Sequence, residues 1–98
     1  MHVISRKMLL EFWTQYPNSE TASLQAWFHE AKVACWRNSV ELKAKYGSAS
    51  IINAERVVFN ICGNKYRLIA RINYVSGALF VRFVGTHRKY DQVDAETI

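Results

Sequence analysis

The sequence predicts an α+β fold in which N-terminal helices pack on one face of an antiparallel sheet. The first half of the chain carries apolar residues at helical spacing, whereas the second half alternates apolar and polar residues between short turn signals. The chain has 98 residues, half of them hydrophobic, which is enough for one core and too little for two. We therefore expect a single domain over residues 1–98.

The N-terminal half predicts a short edge strand followed by two helices. Residues 2–5 are the expected strand, and the first helix then runs until Pro17 ends it. Asn18 or Ser19 is the expected cap of a second helix that continues to Trp36. The apolar positions expected to face the core are Met8, Leu9, Phe12, Trp13 and Tyr16, then Leu24, Trp27, Phe28, Ala31, Ala34 and Cys35.

Three tryptophans, Trp13, Trp27 and Trp36, belong to these helical patterns. A platform for stacking nucleic-acid bases is one interpretation of such a set. We favour core packing, because large aromatic side chains at helical spacing usually pack against a sheet.

A third helix and a short strand complete the N-terminal half. Residues 39–46 predict the helix, with Ser39 as its cap, Val40 and Leu42 facing inward and Gly47 ending it. Residues 50–53 then predict a strand, and a turn at Ala54-Glu55 leads into the sheet proper.

The second half of the chain predicts two hairpins that share one strand. A tight turn at Gly63-Asn64 pairs residues 56–61 with the shared strand and sets Arg56 opposite Arg71 and Asn60 opposite Arg67. Both partners then place apolar side chains on one face of the sheet and polar side chains on the other.

The second hairpin predicts a row of arginines. If Ser76-Gly77 is a two-residue turn, Arg71 lies opposite Arg82, so that Arg56, Arg71 and Arg82 line up across three neighbouring strands. Like charges directly opposite one another destabilise a sheet by about 0.2–1 kcal/mol per pair. The row therefore indicates a polyanionic ligand, and the alternative is a solvated outer face on which long basic side chains spread apart.

The charge balance agrees with an anionic partner. Thirteen Lys and Arg against eight Asp and Glu give a formal net charge of +5, which favours nucleic acid or an acidic protein. No apolar run approaches the about 20 residues of a membrane span, and the N-terminus lacks a signal-peptide pattern, so we expect a cytoplasmic protein.

Metal and cofactor chemistry is not predicted. Cys35 and Cys62 lie far apart in unrelated elements, so the sequence has neither a redox CxxC motif nor zinc-ligand spacing. The three histidines are scattered, and no HExxH, Walker or GxGxxG motif occurs. We expect neither a metal ion nor a small-molecule cofactor.

Two segments resemble a known family: VVFNICGNKYRLI at residues 57–69 and FVGTHRKYD at residues 83–91. They are similar to the HigB type of bacterial toxin within the RelE-like superfamily, and the similarity extends over nearly the whole chain. The resemblance implies the toxin of a type II toxin-antitoxin pair. Such a toxin is a ribosome-dependent endoribonuclease that cuts mRNA and is silenced by an antitoxin, here of the helix-turn-helix HigA type.

The resemblance also implies roles for single residues. Arg67 matches the arginine of the family's tyrosine-arginine-leucine segment, which contacts the scissile phosphate. His87 takes the place of a second catalytic arginine that follows the glycine matched by Gly85, with Arg88 as the less favoured substitute. Tyr90 corresponds to the superfamily's C-terminal tyrosine, although its spacing from the glycine is shorter here than in RelE itself.

RNA cleavage by the 2′-hydroxyl needs a base, an acid and cations at the phosphate. Histidine changes protonation near neutral pH, so His87 is a candidate general acid or base. Arg67 and Lys65 are expected to hold the phosphate, with Lys65 alternatively a base, while Tyr90 stacks on a base or shares the proton transfer. Asp91 is placed to orient His87 or Tyr90. The residues expected to hold the surrounding RNA backbone are Arg56, Arg71, Arg82, Arg88 and Lys89.

Other functions remain open at this stage. From pattern alone, His87 lies opposite Tyr66 on the apolar side and only caps the core, while Tyr90-Asp91 reads as a packed aromatic and a helix cap. A non-catalytic module that binds RNA or ribosomes through the same basic face is the main alternative, and an adaptor for an acidic protein is a further one.

Overall fold

The computed structural model describes residues 1–4, 6–15, 18–63 and 65–98, with only the backbone of residues 18–21. The described elements are, in chain order, β1 (His2–Ile4), α1 (Arg6–Gln15), α2 (Asn18–Val33), α3 (Ser39–Lys45), β2 (Ser50–Ile51), β3 (Arg56–Ile61), β4 (Tyr66–Asn73), β5 (Ala78–Thr86) and α4 (His87–Tyr90). The predicted α+β class is confirmed. None of the described helices is long and apolar enough to cross a membrane.

The described strands form one sheet in the order β1-β5-β4-β3-β2. β2 to β5 pair antiparallel, as the predicted hairpins require, whereas β1 joins the edge parallel to β5. A parallel neighbour needs a long crossover connection, and the elements from α1 to β4 supply it. The N-terminal edge strand is confirmed, with Ser5 outside the described residues, and β2 is shorter than the predicted 50–53.

The hydrophobic core lies between α1, α2 and one face of the sheet. It includes Leu9 of α1 and Phe59 of β3, both almost completely buried. The ring of Trp27 meets that of Phe59 edge-on at a centroid distance of 5.2 Å. Trp27 and Trp36 are buried and Trp13 packs against the core, so the interpretation of the tryptophans as core residues is confirmed.

The second helix is shorter than predicted. α2 ends at Val33, so that Trp36 lies beyond it, although this side chain is still buried. The helix begins at Asn18, but the predicted cap at Asn18 or Ser19 depends on side chains outside the described part, and so does the predicted stop at Pro17.

The third helix has a different cap from the predicted one. The side-chain oxygen of Asn38 accepts a hydrogen bond from the backbone N–H of Glu41 at 3.0 Å, so Asn38 rather than Ser39 is the N-cap. Leu42 is fully buried, whereas Val40 is 75% exposed, which corrects its predicted inward orientation. Residues two apart in a helix do not share a face, and only one of this pair can point to the core.

The first of the two long hairpins has the predicted register. Arg56 pairs with Arg71 across β3 and β4. Cys62 and Gly63 in its loop have φ values of 54° and 66°, and Asn64 lies outside the described residues. Because this left-handed conformation is unfavourable for residues with a Cβ, glycine is the natural residue at position 63.

The second hairpin turns earlier than predicted. Its loop consists of residues 74–77, because the side-chain oxygen of Asn73 accepts hydrogen bonds from the backbone N–H groups of Val75 and Ser76, each at 3.1 Å. An asparagine that bonds the backbone two residues further on starts a turn at its own position. The predicted two-residue turn at Ser76-Gly77 is therefore wrong.

The register of β4 and β5 changes accordingly. Arg71 lies opposite Phe80 and not opposite Arg82. A β-bulge follows, since Ala70 pairs with Val81 while the neighbouring Ile69 pairs with Phe83, which leaves Arg82 as the additional residue of β5. The predicted three-arginine row is thus limited to the pair of Arg56 and Arg71.

The second face of the sheet is not an open basic surface. Val58 and Ile69 point away from the helices, yet they are 2% and 0% exposed. The C-terminal segment approaches this face, because the Arg56 Nε–H donates a hydrogen bond to the backbone oxygen of Ile98 at 3.1 Å and α4 contacts β4 and β5. A second, smaller apolar layer that includes Val58 and Ile69 therefore lies where the sequence predicted an open basic face, either bound to a polyanion or solvated.

Replacing Ile69 with serine tests this second layer. Ile69→Ser removes a buried side chain and buries a hydroxyl, so we expect the free energy of unfolding to fall by about 3 kcal/mol. Arg71→Ser on the same strand and face is the matched control, with an expected change below about 1 kcal/mol because its side chain is 52% exposed. Denaturant unfolding measures both. Equal effects would contradict the covered face.

Candidate functional site

Arg67 lies on the second face of the sheet, near the start of β4. Its guanidinium donates a hydrogen bond to the side-chain oxygen of Asn60, the residue opposite on β3. The amide nitrogen of Asn60 in turn donates to the backbone oxygen of Ser48 at 2.9 Å. The Asn60 side chain is held at both ends and so positions the guanidinium.

The strand on the other side of Arg67 presents a glycine. Gly85 pairs with Arg67 and is buried, and a Cβ built on it would lie 2.9 Å from Cζ of the Phe83 ring. The ring therefore covers the space beside this glycine, and a larger residue would have to displace it. At the position that pairs with Arg67, β5 therefore presents no side chain.

Thr86 converts the end of β5 into a one-turn helix. It has extended backbone angles, and its hydroxyl oxygen accepts a hydrogen bond from the backbone N–H of Lys89 at 3.3 Å, which caps α4. Helical spacing then brings His87 and Tyr90 to the same side, with ring centroids 6.2 Å apart. A threonine cap thus decides where both rings lie.

The short helix places its aromatic and titratable groups beside Arg67. The guanidinium carbon of Arg67 lies 5.8 Å from the centroid of the Tyr90 ring, which is cation–π distance. Nδ1 of His87 lies 3.3 Å from a carboxylate oxygen of Asp91, and the two side chains are 51% and 62% exposed. Arg67, Tyr90, His87, Asp91 and Asn60 together are called the Arg67 cluster below.

His87 does not occupy its predicted position. Thr86, not His87, pairs with Tyr66, and His87 begins α4 as an exposed side chain. The interpretation of His87 as a cap of the core is therefore wrong. Lys65 is exposed directly before β4, with its ammonium 5.8 Å from the centroid of the Tyr66 ring, so it lies at the same end of the sheet as His87.

The predicted backbone-binding residues separate into two groups. Arg82, Arg88 and Lys89 are exposed on β5 and α4. Arg56, by contrast, has a side chain only 15% exposed that is bonded to the C-terminal segment. Arg71 is half-exposed at the far end of the sheet from the Arg67 cluster.

A carboxylate relieves the repulsion between the paired arginines. One oxygen of Glu55 lies 3.2 Å from Nε of Arg71 and 3.9 Å from a terminal nitrogen of Arg56. An opposite charge this close offsets the cost of placing two guanidinium groups across from each other. The pair alone therefore gives no argument for a polyanion.

The described part of the chain holds no group of three or more His, Cys, Asp or Glu side chains close enough to share a metal ion. The chemistry that the Arg67 cluster itself offers is that of a fixed guanidinium, an imidazole paired with a carboxylate, and a phenol between them. This combination suits an anionic substrate that exchanges protons.

Comparison with known proteins identifies the family. Residues 20–93 match the HigB toxin family, described as the RelE-like toxic component of a toxin-antitoxin system. The chain belongs to the HigB toxin family. The mRNA interferase toxin HigB of Escherichia coli K12 is 30% identical over 93 residues, covering 93% of this chain and 88% of that protein. The mRNA interferase HigB of E. coli strain CFT073 is 27% identical over 95 residues, covering 95% and 91%.

Membership of the HigB family makes this chain the toxin of a toxin-antitoxin system, and its partner is an antitoxin. All residues of the Arg67 cluster lie within the matched range 20–93. The predicted resemblance to HigB-type toxins is confirmed.

Two polar residues near these arginines were given no role by the sequence. Asn60 was expected opposite Arg67, and that pairing is confirmed, so the register itself contained the signal for its contact with the guanidinium. Glu55 was only a turn residue in the sequence, and no pattern there signals that its carboxylate lies between Arg56 and Arg71.

Replacing Gly85 with alanine in this HigB-family toxin tests how closely the Phe83 ring covers the glycine. Because the new Cβ would lie 2.9 Å from the ring, we expect Gly85→Ala to lower the free energy of unfolding by about 1–3 kcal/mol. Gly47→Ala is the control, since a Cβ there meets nothing within 4 Å and no loss is expected. Thermal unfolding measures both, and an unchanged Gly85→Ala variant would contradict the close packing.

Proposed function

We propose that this HigB-family toxin is a ribosome-dependent mRNA endoribonuclease that cleaves RNA through the substrate's own 2′-hydroxyl, without a metal ion. The observation that carries the proposal is the Arg67 cluster, in which a guanidinium, a phenol and an imidazole–carboxylate pair meet at one end of the sheet. The relatives named mRNA interferases support the choice of mRNA as substrate.

Arg67 is proposed to hold the scissile phosphate. A guanidinium is always charged and presents its N–H donors in one plane, which suits bidentate contact with phosphate oxygens. Because Asn60 fixes the orientation before substrate arrives, little reorganisation is needed when negative charge develops on the phosphate in the transition state. Lys65 is proposed to add a second positive charge from the end of the sheet.

His87 is proposed to transfer a proton. Its half-exposed ring is accessible to RNA, and the Asp91 carboxylate beside Nδ1 orients the ring. Nε2 is then the nitrogen that exchanges a proton with the substrate. Tyr90, between Arg67 and His87, is proposed to stack on a base or to share in the proton transfer.

The reaction balances without a cofactor. A base removes the proton of the 2′-hydroxyl, the 2′-oxygen attacks the adjacent phosphorus, and the bond from phosphorus to the 5′-oxygen breaks. An acid protonates that leaving oxygen, which yields a 2′,3′-cyclic phosphate and a 5′-hydroxyl. His87, Lys65 and Tyr90 are the candidates for the base and the acid.

The proposed partners follow from this reaction. They are the ribosome and its mRNA in the cytoplasm, contacted through exposed Arg82, Arg88 and Lys89, and an antitoxin of the helix-turn-helix HigA type. Arg56 contributes less to RNA contact than its charge suggests, because the C-terminal segment binds it. Arg71 remains accessible at the far end of the sheet.

Two substitutions in the cluster test the site. We expect Arg67→Ala and His87→Ala each to reduce cleavage of a translated reporter mRNA by about 100-fold or more, because each removes a group that acts on the transition state. The matched controls are Arg37→Ala, whose side chain is 86% exposed outside the cluster, and His29→Ala on the exposed side of α2. Primer extension on translated and untranslated mRNA gives the readout, with growth arrest as a second one.

The outcomes separate the alternatives. Full cleavage by both cluster variants, with unfolding temperatures like the native chain, would exclude this site. Cuts that are equally frequent on untranslated mRNA would exclude ribosome dependence. Binding to ribosomes with no cut product from the native chain would instead identify the non-catalytic RNA-binding module.

A single 2′-deoxynucleotide tests the nucleophile. We expect an mRNA with 2′-deoxyribose at the nucleotide on the 5′ side of the cut to resist cleavage at that position, because the attacking oxygen is missing. The same substitution several nucleotides away is the control and should leave the cut unchanged. Cleavage at the modified position, or products with a 5′-phosphate, would rule out attack by the 2′-hydroxyl.

A further inference from the structure

A cavity of about 450 Å³ lies at the end of the sheet opposite the Arg67 cluster. The bend before β3 and the loop between β4 and β5 form its walls. Glu55, Arg71, Asn73, Tyr74 and Phe80 are among the residues that line it. The sequence predicts contact with the RNA backbone for Arg71 and no role for Glu55 or Phe80.

Hydrogen bonds hold both walls of the cavity in place. On one side, the side-chain oxygen of Asn53 accepts from the backbone N–H groups of Glu55 and Arg56, each at 2.9 Å. The backbone N–H of Ile72 also donates to the backbone oxygen of Glu55 at 2.7 Å. On the other side, Asn73 holds the loop 74–77 as described above. The cavity is therefore formed before any ligand binds, which lowers the entropy cost of binding.

The lining combines an aromatic surface with a fixed pair of opposite charges. Phe80 lies directly across from Arg71 on the neighbouring strand and is partly exposed. The Arg71 guanidinium and the Glu55 carboxylate are about half-exposed, with Nε and the carboxylate oxygen 3.2 Å apart. An aromatic ring beside a guanidinium is the type of surface on which a single-stranded base stacks.

The charge pair matches the edge of one base best. Guanine presents acceptors at O6 and N7 and donors at N1 and the 2-amino group. A carboxylate accepts from those two donors side by side, and a guanidinium donates to O6 or N7. Adenine presents a donor at its 6-amino group and an acceptor at N7, but it lacks the two adjacent donors that let guanine make two bonds to the carboxylate.

The cavity opens on the same face as the Arg67 cluster. Arg67 and Arg71 share one face of β4 and lie four residues apart, which is about 13 Å along the strand. Arg82 is exposed at the bulge of β5, at a position along the sheet between Arg67 and Arg71. RNA held at Arg67 can thus reach the cavity by way of Arg82, which is exposed although Ile69 between the two arginines is covered.

We propose that this cavity binds a guanine of the RNA at a fixed distance from the cut, stacked on Phe80 and hydrogen-bonded to Glu55 and Arg71. The cavity then determines a sequence preference of the toxin. This inference rests on the function proposed above, and it adds a substrate-recognition site outside the Arg67 cluster.

Mapping of cleavage positions on a mixed pool of translated reporter mRNAs tests the proposal. The native toxin should cut with guanine enriched at one fixed offset from the cut. Phe80→Leu keeps an apolar side chain but removes the stacking surface, so it should abolish the enrichment and raise KM by about 10-fold while changing kcat little. Phe80→Tyr keeps the ring and should retain both the enrichment and KM. Glu55→Gln should weaken the preference for guanine because the amide presents only one acceptor oxygen.

The controls distinguish this proposal from the one it rests on. Val33→Ala, 79% exposed on α2, should behave like the native toxin. A native toxin that cuts without guanine at any fixed offset, or a Phe80→Leu variant that folds and keeps the native pattern, would overturn the cavity's role and leave the cleavage function standing. Loss of antitoxin binding by Phe80→Leu with an unchanged cut pattern would assign the cavity to a protein interface instead. Absence of any cut by the native toxin would refute the cleavage function itself.

Discussion

The β-bulge between β4 and β5 is the constraint on which the site depends. One additional residue in β5, Arg82, changes the pairing so that Gly85 lies opposite Arg67. Without the bulge, the pairing that holds from Ala78 to Val81 would continue and place Val84 beside Arg67. A shift of one residue sends every later side chain to the other face, so the bulge decides that Val84 packs in the core.

The one-residue shift caused by the bulge also determines where β5 ends and α4 begins. Because Gly85 has no Cβ, the Phe83 ring can lie against it beside Arg67, and the Tyr90 ring lies 5.8 Å from the Arg67 guanidinium. Thr86 then caps the helix turn that carries His87 and Tyr90. The groups of the Arg67 cluster thus lie on regular elements and their immediate ends, which hold them more rigidly than a long loop would.

Charge on this sheet is arranged in two places rather than as one continuous basic surface. At the end with the Arg67 cluster, Lys65 lies directly before β4, Arg88 and Lys89 lie on α4, and all three are exposed. At the far end, Glu55 shares its carboxylate between Arg56 and Arg71. The apolar layer beneath the C-terminal segment separates the two, so the net charge of +5 overstates how uniformly an anion is attracted to this face.

Local patterns in the chain were sufficient for the helical core, the α+β class and the first hairpin. Apolar spacing placed Trp27 in the core, and the turn at Gly63 set the pairing of Arg56 with Arg71, because both signals act between residues near in sequence. The sequence motifs around Arg67 likewise predicted that the chain is a HigB-type toxin, and the family match confirms this.

Only the tertiary structure decided the β4–β5 register and with it the site. The turn began at Asn73 because its side chain bonds the loop backbone, and the bulge at Arg82 then places Val84 against the core. The alternation of apolar and polar residues reveals neither the turn nor the bulge, because the predicted and the observed pairing of β4 with β5 both satisfy it. The bond between Arg56 and the backbone of residue 98 also joins positions far apart in the chain, and no local sequence signal reports such a contact.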